Sequence, residues 1–154
     1  MRISEKEINK MYKKVNLERE KLHDALRTMG RKYIKGKKLK DNWSEDNPTR
    51  NYCYVVSEFV YYYLSPRGSK PFKLVVPYDD GLHRFIKYPC GTVIDLTAEQ
   101  FQNYEDVDYS KSKICYFMVN KWNKGPCYRT RKLAEVMGYE LPKWREDLCN
   151  TKDW

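Results

Sequence analysis

Tyr52 to Leu64 reads YCYVVSEFVYYYL, an almost unbroken apolar run in which periodicity alone does not separate a buried helix from a buried strand. Its Val and Tyr content favours a strand, but thirteen residues is long for one, and length decides for a helix. Ser65-Pro66-Arg67-Gly68 ends the run, as a Pro and Gly cluster does. Cys53 then falls in the first helical turn, where the helix dipole supplies partial positive charge.

Downstream, Pro71 to Tyr78 (PFKLVVPY) and His83 to Tyr88 (HRFIKY) read as two strands joined at Asp79-Asp80-Gly81, an Asp-Gly hairpin signal. Thr92 to Leu96 reads as a third strand after the Pro89 to Gly91 turn, and Ile114 to Val119 as a further one. Thr97 to Asn103 opens on an N-cap residue and is expected to make a helical turn. Within Tyr128 to Met137, Leu133, Val136 and Met137 recur at helical spacing, predicting a closing helix that stops at Gly138. The expected fold class is α+β, with the central helix starting at the cysteine and packed on a small antiparallel sheet.

Upstream, Ser4 and Glu7 have the spacing of a capping box, and Ile8, Met11, Val15, Leu22, Ala25, Leu26 and Met29 recur at broadly helical intervals up to Gly30. Arg31 to Lys40 (RKYIKGKKLK) and the polar stretch Asp41 to Arg50 read as loop, with Asn47-Pro48 as a turn signal. One domain is expected over residues 1–154: a helical N-terminal segment over 1–30, a core over 43–137, and a tail over 139–154 that is either packed down by Trp144 and Trp154 or disordered.

The 154 residues are enough to bury a core without disulfides or metals, and fourteen tyrosines make that core aromatic, with hydroxyls that need a partner or water. Lysine and arginine outnumber the acids 30 to 21, and a net charge of +9 favours encounter with anionic partners, nucleic acid or acidic protein among them, or simply a solvated surface. Five cysteines without metal-ligand spacing, and only two histidines, predict free thiols, no metal and no cofactor. No signal-peptide pattern opens the chain and no apolar run approaches the roughly 20 residues of a membrane span, so a cytoplasmic protein is expected.

A cysteine becomes a nucleophile when a helix N-terminus or an imidazole lowers its pKa, and Cys53 is placed for both. His23 belongs to the amphipathic N-terminal helix, where a surface histidine is the ordinary reading. His83 opens a strand beside a tight turn, which puts its ring at a sheet edge able to face the helix start. Asp95, at the end of the next strand, is positioned to accept the Nδ1 proton of His83 and fix its tautomer. The plainer alternatives are a small packed cysteine and a turn-forming aspartate. An oxyanion would be met by the Cys53 backbone N–H with Asn47, Asn51 or Gln100 as side-chain donor, Asn47 being favoured because its turn projects it over the helix start. Arg50 and Arg84 are candidates for binding a substrate or partner. Cys90, Cys115, Cys127 and Cys149 have no base nearby in sequence and are expected to be buried or idle.

NPTRNYCYVVSEFVYYYL, LHRFIK and GTVIDLTAEQF together resemble a pattern found in small bacterial and phage proteins, including the YunG-like family. The most specific part is Asp95-Leu96-Thr97 with Gln100-Phe101, and GPCYRTRKLAEVM resembles a C-terminal segment of the phage members. This chain departs from the pattern in having Arg84 between the histidine and Phe85. The resemblance, over roughly residues 43 to 137, implies a papain-like or transglutaminase-like layout in which Cys, His and Asp follow in this order. It assigns Cys53 as nucleophile, His83 as base and Asp95 as orienter, and implies a cysteine-dependent hydrolase or acyltransferase acting on an amide, ester or thioester, with a host factor as one possible target. The alternative is a basic, non-enzymatic protein that engages nucleic acid or a host protein.

Overall fold

The computed structural model describes residues 17–66, 68–76, 81–100, 107–115 and 125–143, with Lys6, Lys10 and Lys13. Helix α1 (Arg19–Met29) buries Leu22, Ala25, Leu26 and Met29 at three- and four-residue intervals and stops at Gly30, whose φ of 62° suits a residue without a Cβ. The basic run that follows is not a plain loop. It forms a 3-10 turn (Gly30–Tyr33) and a short helix α2 (Lys37–Asp41), because Gly36, at φ 89°, redirects the chain into a stretch of good helix formers.

The apolar run is helical, as its length demands. Helix α3 (Cys53–Phe59) continues as a π-helical turn (Val60–Leu64), and Val55, Val56, Phe59, Val60, Tyr61, Tyr62 and Leu64 are buried along the combined element. Phe59 stacks on Tyr63 one turn later and meets Tyr139 edge-on, both with ring centroids 5.4 Å apart. Phe59→Ala is therefore expected to cost about 3–5 kcal/mol. Thermal unfolding would show it as a fall in Tm of about 10 °C or more; an unchanged Tm would mean the ring is not part of the core.

Strands β1 (Lys70–Val76), β2 (Gly81–Lys87), β3 (Val93–Ile94) and β4 (Lys113–Ile114) form an antiparallel sheet in the order β3-β2-β1-β4. The expected strand over Thr92 to Leu96 is two residues long, and that from Ile114 reaches back to Lys113, its remainder at 116–119 lying outside the described residues. Only Ala98–Gln100 of the turn expected at Thr97 to Asn103 is helical among the described residues. The capping box at Ser4, the Asp79-Asp80 turn, Trp144 and Trp154 also lie outside them. Helix α4 (Tyr128–Met137) closes the fold as expected, with Gly138 left-handed at its end. Among the described residues the chain is thus an α+β protein of four helices and one four-stranded sheet, and no helix is long and apolar enough to cross a membrane.

The sheet has two different faces. Ile86, Tyr88 and Ile94 join the large core of α1, α3 and α4, while Phe85 and Leu74 form a smaller cluster with Phe72, Val93, Val107 and Tyr109. In the β1–β2 register Leu74 lies opposite His83 and Phe72 opposite Phe85, so alternation places His83 on the face of the smaller cluster. Strand β2 is an inner strand, not the edge expected for His83. Its ladder with β3 nevertheless covers only Ile86 and Lys87, which leaves that side of β2 open from Gly81 to Phe85.

Candidate active site

Helix α3 occupies the open side of β2. Tyr88 donates its backbone N–H to Thr92 O toward the β3 side, so the even-numbered residues of β2 direct their peptide groups that way. Two of them meet α3: Ser57 Oγ donates to Arg84 O at 2.8 Å, and Cys53 Sγ lies 3.8 Å from Leu82 O. The spacing matches, since four helical residues rise about 6 Å and two strand residues about 6.8 Å. Helix and strand therefore run side by side with Cys53 at the level of His83.

The turn into α3 is held from several directions. Asn51 adopts φ 65°, a left-handed conformation that asparagine tolerates better than most residues. Its backbone N–H donates to Gln100 Oε1 (3.2 Å) and its Nδ2 to Leu39 O (2.7 Å). Asn47 Nδ2 donates to Gln100 O (2.9 Å), and the buried Gln100 donates Nε2 to Thr97 O (3.0 Å). All three side-chain amides expected to meet an oxyanion thus bond to backbone carbonyls, tying the approach to Cys53 onto α2 and onto the turn from Thr97 to Gln100. Asn47 does not project over the helix start; it faces the 3-10 turn at Gln100. Arg50 is half-buried within the same turn, its backbone N–H bonded to Asn47 O. The next residue but one, Tyr52, is fully buried and donates its hydroxyl to Gly30 O at 2.5 Å, fixing the helix start to the end of α1. Burial pushes the Tyr52 phenol up to about 12.

His83 is fully buried, with Nε2 2.5 Å from Asp95 Oδ2. The contact expected at Nδ1 is thus made through Nε2. Asp95 follows β3 immediately, and extension of the Ile86–Ile94 register sets it opposite Phe85, on the His83 face. Its oxygens are well supplied with donors. Tyr109 Oη donates to Oδ2 at 2.6 Å, and Thr97 donates its backbone N–H to Oδ1 at 3.2 Å. Phe85 walls this group, with His83 stacked at 6.2 Å and Tyr109 edge-on at 4.9 Å between centroids.

The electrostatics favour an ion pair. Burial pushes the His83 imidazole down, but hydrogen bonds to Asp95 and Cys53, with the charges of both, hold its pKa at about 9. Burial pushes the Cys53 thiol up, and this is outweighed by its hydrogen bond to His83, the positive charges of His83 and Arg84, and a bond from the Arg84 peptide group. The net direction for Cys53 is down. Each group thus favours the charged form of the other, and their two titrations belong to the pair.

The sequence reading omitted two groups. Tyr109 sits in a 3-10 turn capped by Asp108, whose carboxylate accepts the Ser110 N–H at 3.1 Å. That Asp-x-Ser signal marks a turn but says nothing of the turn folding back over the sheet. The buried Glu58 accepts the Cys127 backbone N–H at 2.5 Å, tying α3 to the start of α4. Of the other cysteines, Cys115 is buried, Cys127 partly so and Cys90 exposed, while Cys149 lies outside the described residues. Among the described residues no cluster of His, Cys, Asp and Glu could hold a metal ion. In comparisons with known proteins, no family model, no curated protein and no solved structure matches this chain.

Proposed function

We propose that the protein is a cysteine-dependent hydrolase or acyltransferase on a papain-like scaffold, acting on an amide, ester or thioester. The observation that carries this reading is the grouping of Cys53, His83 and Asp95, in which a buried imidazole bonds a carboxylate through Nε2 and is coupled electrostatically to a half-buried thiol at a helix start. The chain order and the resemblance to YunG-like proteins agree with it.

In the first half-reaction the Cys53 thiolate forms a bond to the substrate carbonyl carbon, and the carbonyl electron pair moves to oxygen. When the tetrahedral adduct collapses, the bond to the leaving amine, alcohol or thiol breaks, and the His83 proton passes to that group. An acyl-Cys53 thioester remains. Water, or an acceptor amine in a transferase, then attacks the thioester while neutral His83 takes its proton, releasing product and restoring the ion pair. Backbone N–H groups of the first α3 turn, which have no partner within the helix, are the donors assigned to the oxyanion, since the amides of Asn47, Asn51 and Gln100 are engaged elsewhere.

As a binding module, the same chain would use Cys53 only for packing, and a buried carboxylate–imidazole pair aimed at the thiol would have no role. Intact-mass spectrometry after exposure to p-nitrophenyl esters and acyl thioesters decides between the readings. An acyl adduct mapped to Cys53, absent from Cys53→Ala, is expected. Acylation spread over the exposed Cys90 and lysines, with Cys53 unmodified, would sink the proposal.

A further inference from the structure

Tyr54, the residue after the nucleophile, is partly exposed, and two guanidinium groups lie against its ring. Arg84 Cζ is 5.5 Å and Arg129 Cζ 5.8 Å from the ring centroid. They come from different elements, the inner strand β2 and the first turn of α4, so the fold brings them together and local sequence does not. Both are partly buried. Arg129 spends one donor on Tyr33 O at 3.2 Å, whereas the buried Nε of Arg84 has no hydrogen-bond partner among the described residues. Among the described residues no carboxylate lies within ion-pair distance of either guanidinium. Stacking on one ring orients both groups but neutralises neither, and a buried guanidinium donor left unmade is costly. Arginine's planar fork, fixed in this way, suits a carboxylate or phosphate oxyanion.

We propose that Arg84, Arg129 and the Tyr54 ring form a subsite for an anionic group on the molecule that reacts at Cys53. The assignment rests on the acyl-transfer reading and narrows its substrate class to acyl compounds bearing a carboxylate or phosphate near the scissile bond. The backbone places the subsite beside the thiol: Tyr54 follows Cys53 directly, and the carbonyl of Arg84 is bonded to Ser57 one turn along α3. The anion would arrive over Tyr54 with its carbonyl presented to Sγ. The same two charges would also draw in a product acid and an acidic acceptor.

Two alkylating agents that differ in charge test the subsite. With iodoacetate or iodoacetamide the Cys53 thiolate forms an S–C bond, the C–I bond breaks and iodide leaves; only iodoacetate carries an anion. The iodoacetate-to-iodoacetamide rate ratio at Cys53 is expected to exceed that of N-acetylcysteine by about tenfold, and to fall at least threefold in Arg84→Gln and in Arg129→Gln. Taking the ratio cancels any change in thiolate content that the Arg84 substitution causes. Arg129→Lys should keep most of the preference, which separates loss of charge from loss of fold. A wild-type ratio no higher than that of the free thiol, or one that both glutamine variants leave intact, overturns the proposal.

Phenylglyoxal modification of the unmutated protein, mapped by mass spectrometry, reads the arginines without reference to the thiol. Slower modification of Arg84 and Arg129 in inorganic phosphate alone assigns a phosphate, in propionate alone a carboxylate, and in neither overturns the subsite. Protected arginines with a Cys53 slow toward both alkylating agents would remove the acyl-transfer reading and keep the anion site. A fast Cys53 without anion preference or arginine protection would do the reverse.

Discussion

At pH 6, His83→Ala is expected to slow iodoacetamide alkylation of Cys53 by roughly 10- to 100-fold. An ordinary thiol with a pKa near 8.5 is only about 0.3% ionised at that pH. In the unmutated protein burial pushes the Cys53 thiol up, but the imidazolium and the charge of Arg84 outweigh it and lower its pKa, so a larger share of thiolate is expected at that pH. The gain in rate is smaller than the gain in thiolate, because a less basic thiolate is intrinsically less nucleophilic. Removing the ring removes both the hydrogen bond and the positive charge, and leaves burial as the dominant influence.

The wild-type labelling rate should therefore rise with pH well below 8.5 and level off, whereas in His83→Ala it should rise only around 8.5 or above. The proposed acyl transfer adds a second limb. His83 must hold a proton to give to the leaving group, and with its pKa raised to about 9 that capacity persists through neutral pH and is lost as pH climbs past 9. Turnover by His83→Ala should be lower by about 10²- to 10⁴-fold, the usual worth of a positioned acid–base group. A wild-type Cys53 that titrates like a free thiol, indifferent to the ring, would falsify the ion pair and with it the proposed chemistry.

How far the sequence exposes this site depends on how local each feature is. The helix starting at Cys53 is legible because thirteen apolar residues exceed an ordinary strand, and the hairpin because two alternating runs flank a turn signal. Its register and the strand order are not, since His83 gains its surroundings from Leu74 on the neighbouring strand and from a β3 that stops short beside it. The three amides Asn47, Asn51 and Gln100 look like free donors in sequence because nothing local reveals the carbonyls they meet. The basic run at Arg31–Lys40 looks like loop because its charge hides good helix propensity around Gly36. Arg129 and Tyr109 reach the site only through the closing of α4 against Tyr54 and of the Asp108 turn over Phe85, contacts between segments far apart in the chain. Chemistry carried by residue type is thus readable early, and orientation carried by tertiary bonds is not.

Asp95→Asn is expected to lower the Cys53 alkylation rate at pH 6 by about tenfold, and Tyr109→Phe by less than about threefold. Both carboxylate oxygens of Asp95 act as acceptors: Oδ1 from the Thr97 N–H, Oδ2 from His83 and from the Tyr109 hydroxyl. An amide has only one acceptor oxygen. With its NH₂ toward Thr97 the Asn side chain confronts that backbone N–H; with it toward His83 it is accommodated only when Nε2 carries no proton and the Tyr109 hydroxyl turns to accept, so either orientation disfavours the protonated ring or the Thr97 bond. The hydrogen bond to the carboxylate, the largest influence that holds a proton on His83 against burial, is weakened, and the negative charge disappears as well. The imidazole pKa should then fall from about 9, so that turnover is lost at lower pH than in the unmutated protein, and the thiolate should weaken because its partner is no longer charged. Tyr109→Phe, in contrast, deletes one hydroxyl and keeps the carboxylate, the Thr97 bond and the edge-on contact with Phe85. It should shift the upper limb slightly upward, since a carboxylate relieved of one donor is a stronger acceptor for His83. The pair of variants thus separates charge from geometry: equal effects would mean that Asp95 only fills space around the ring, whereas opposite shifts of the upper limb are the signature of a carboxylate that sets the protonation of His83.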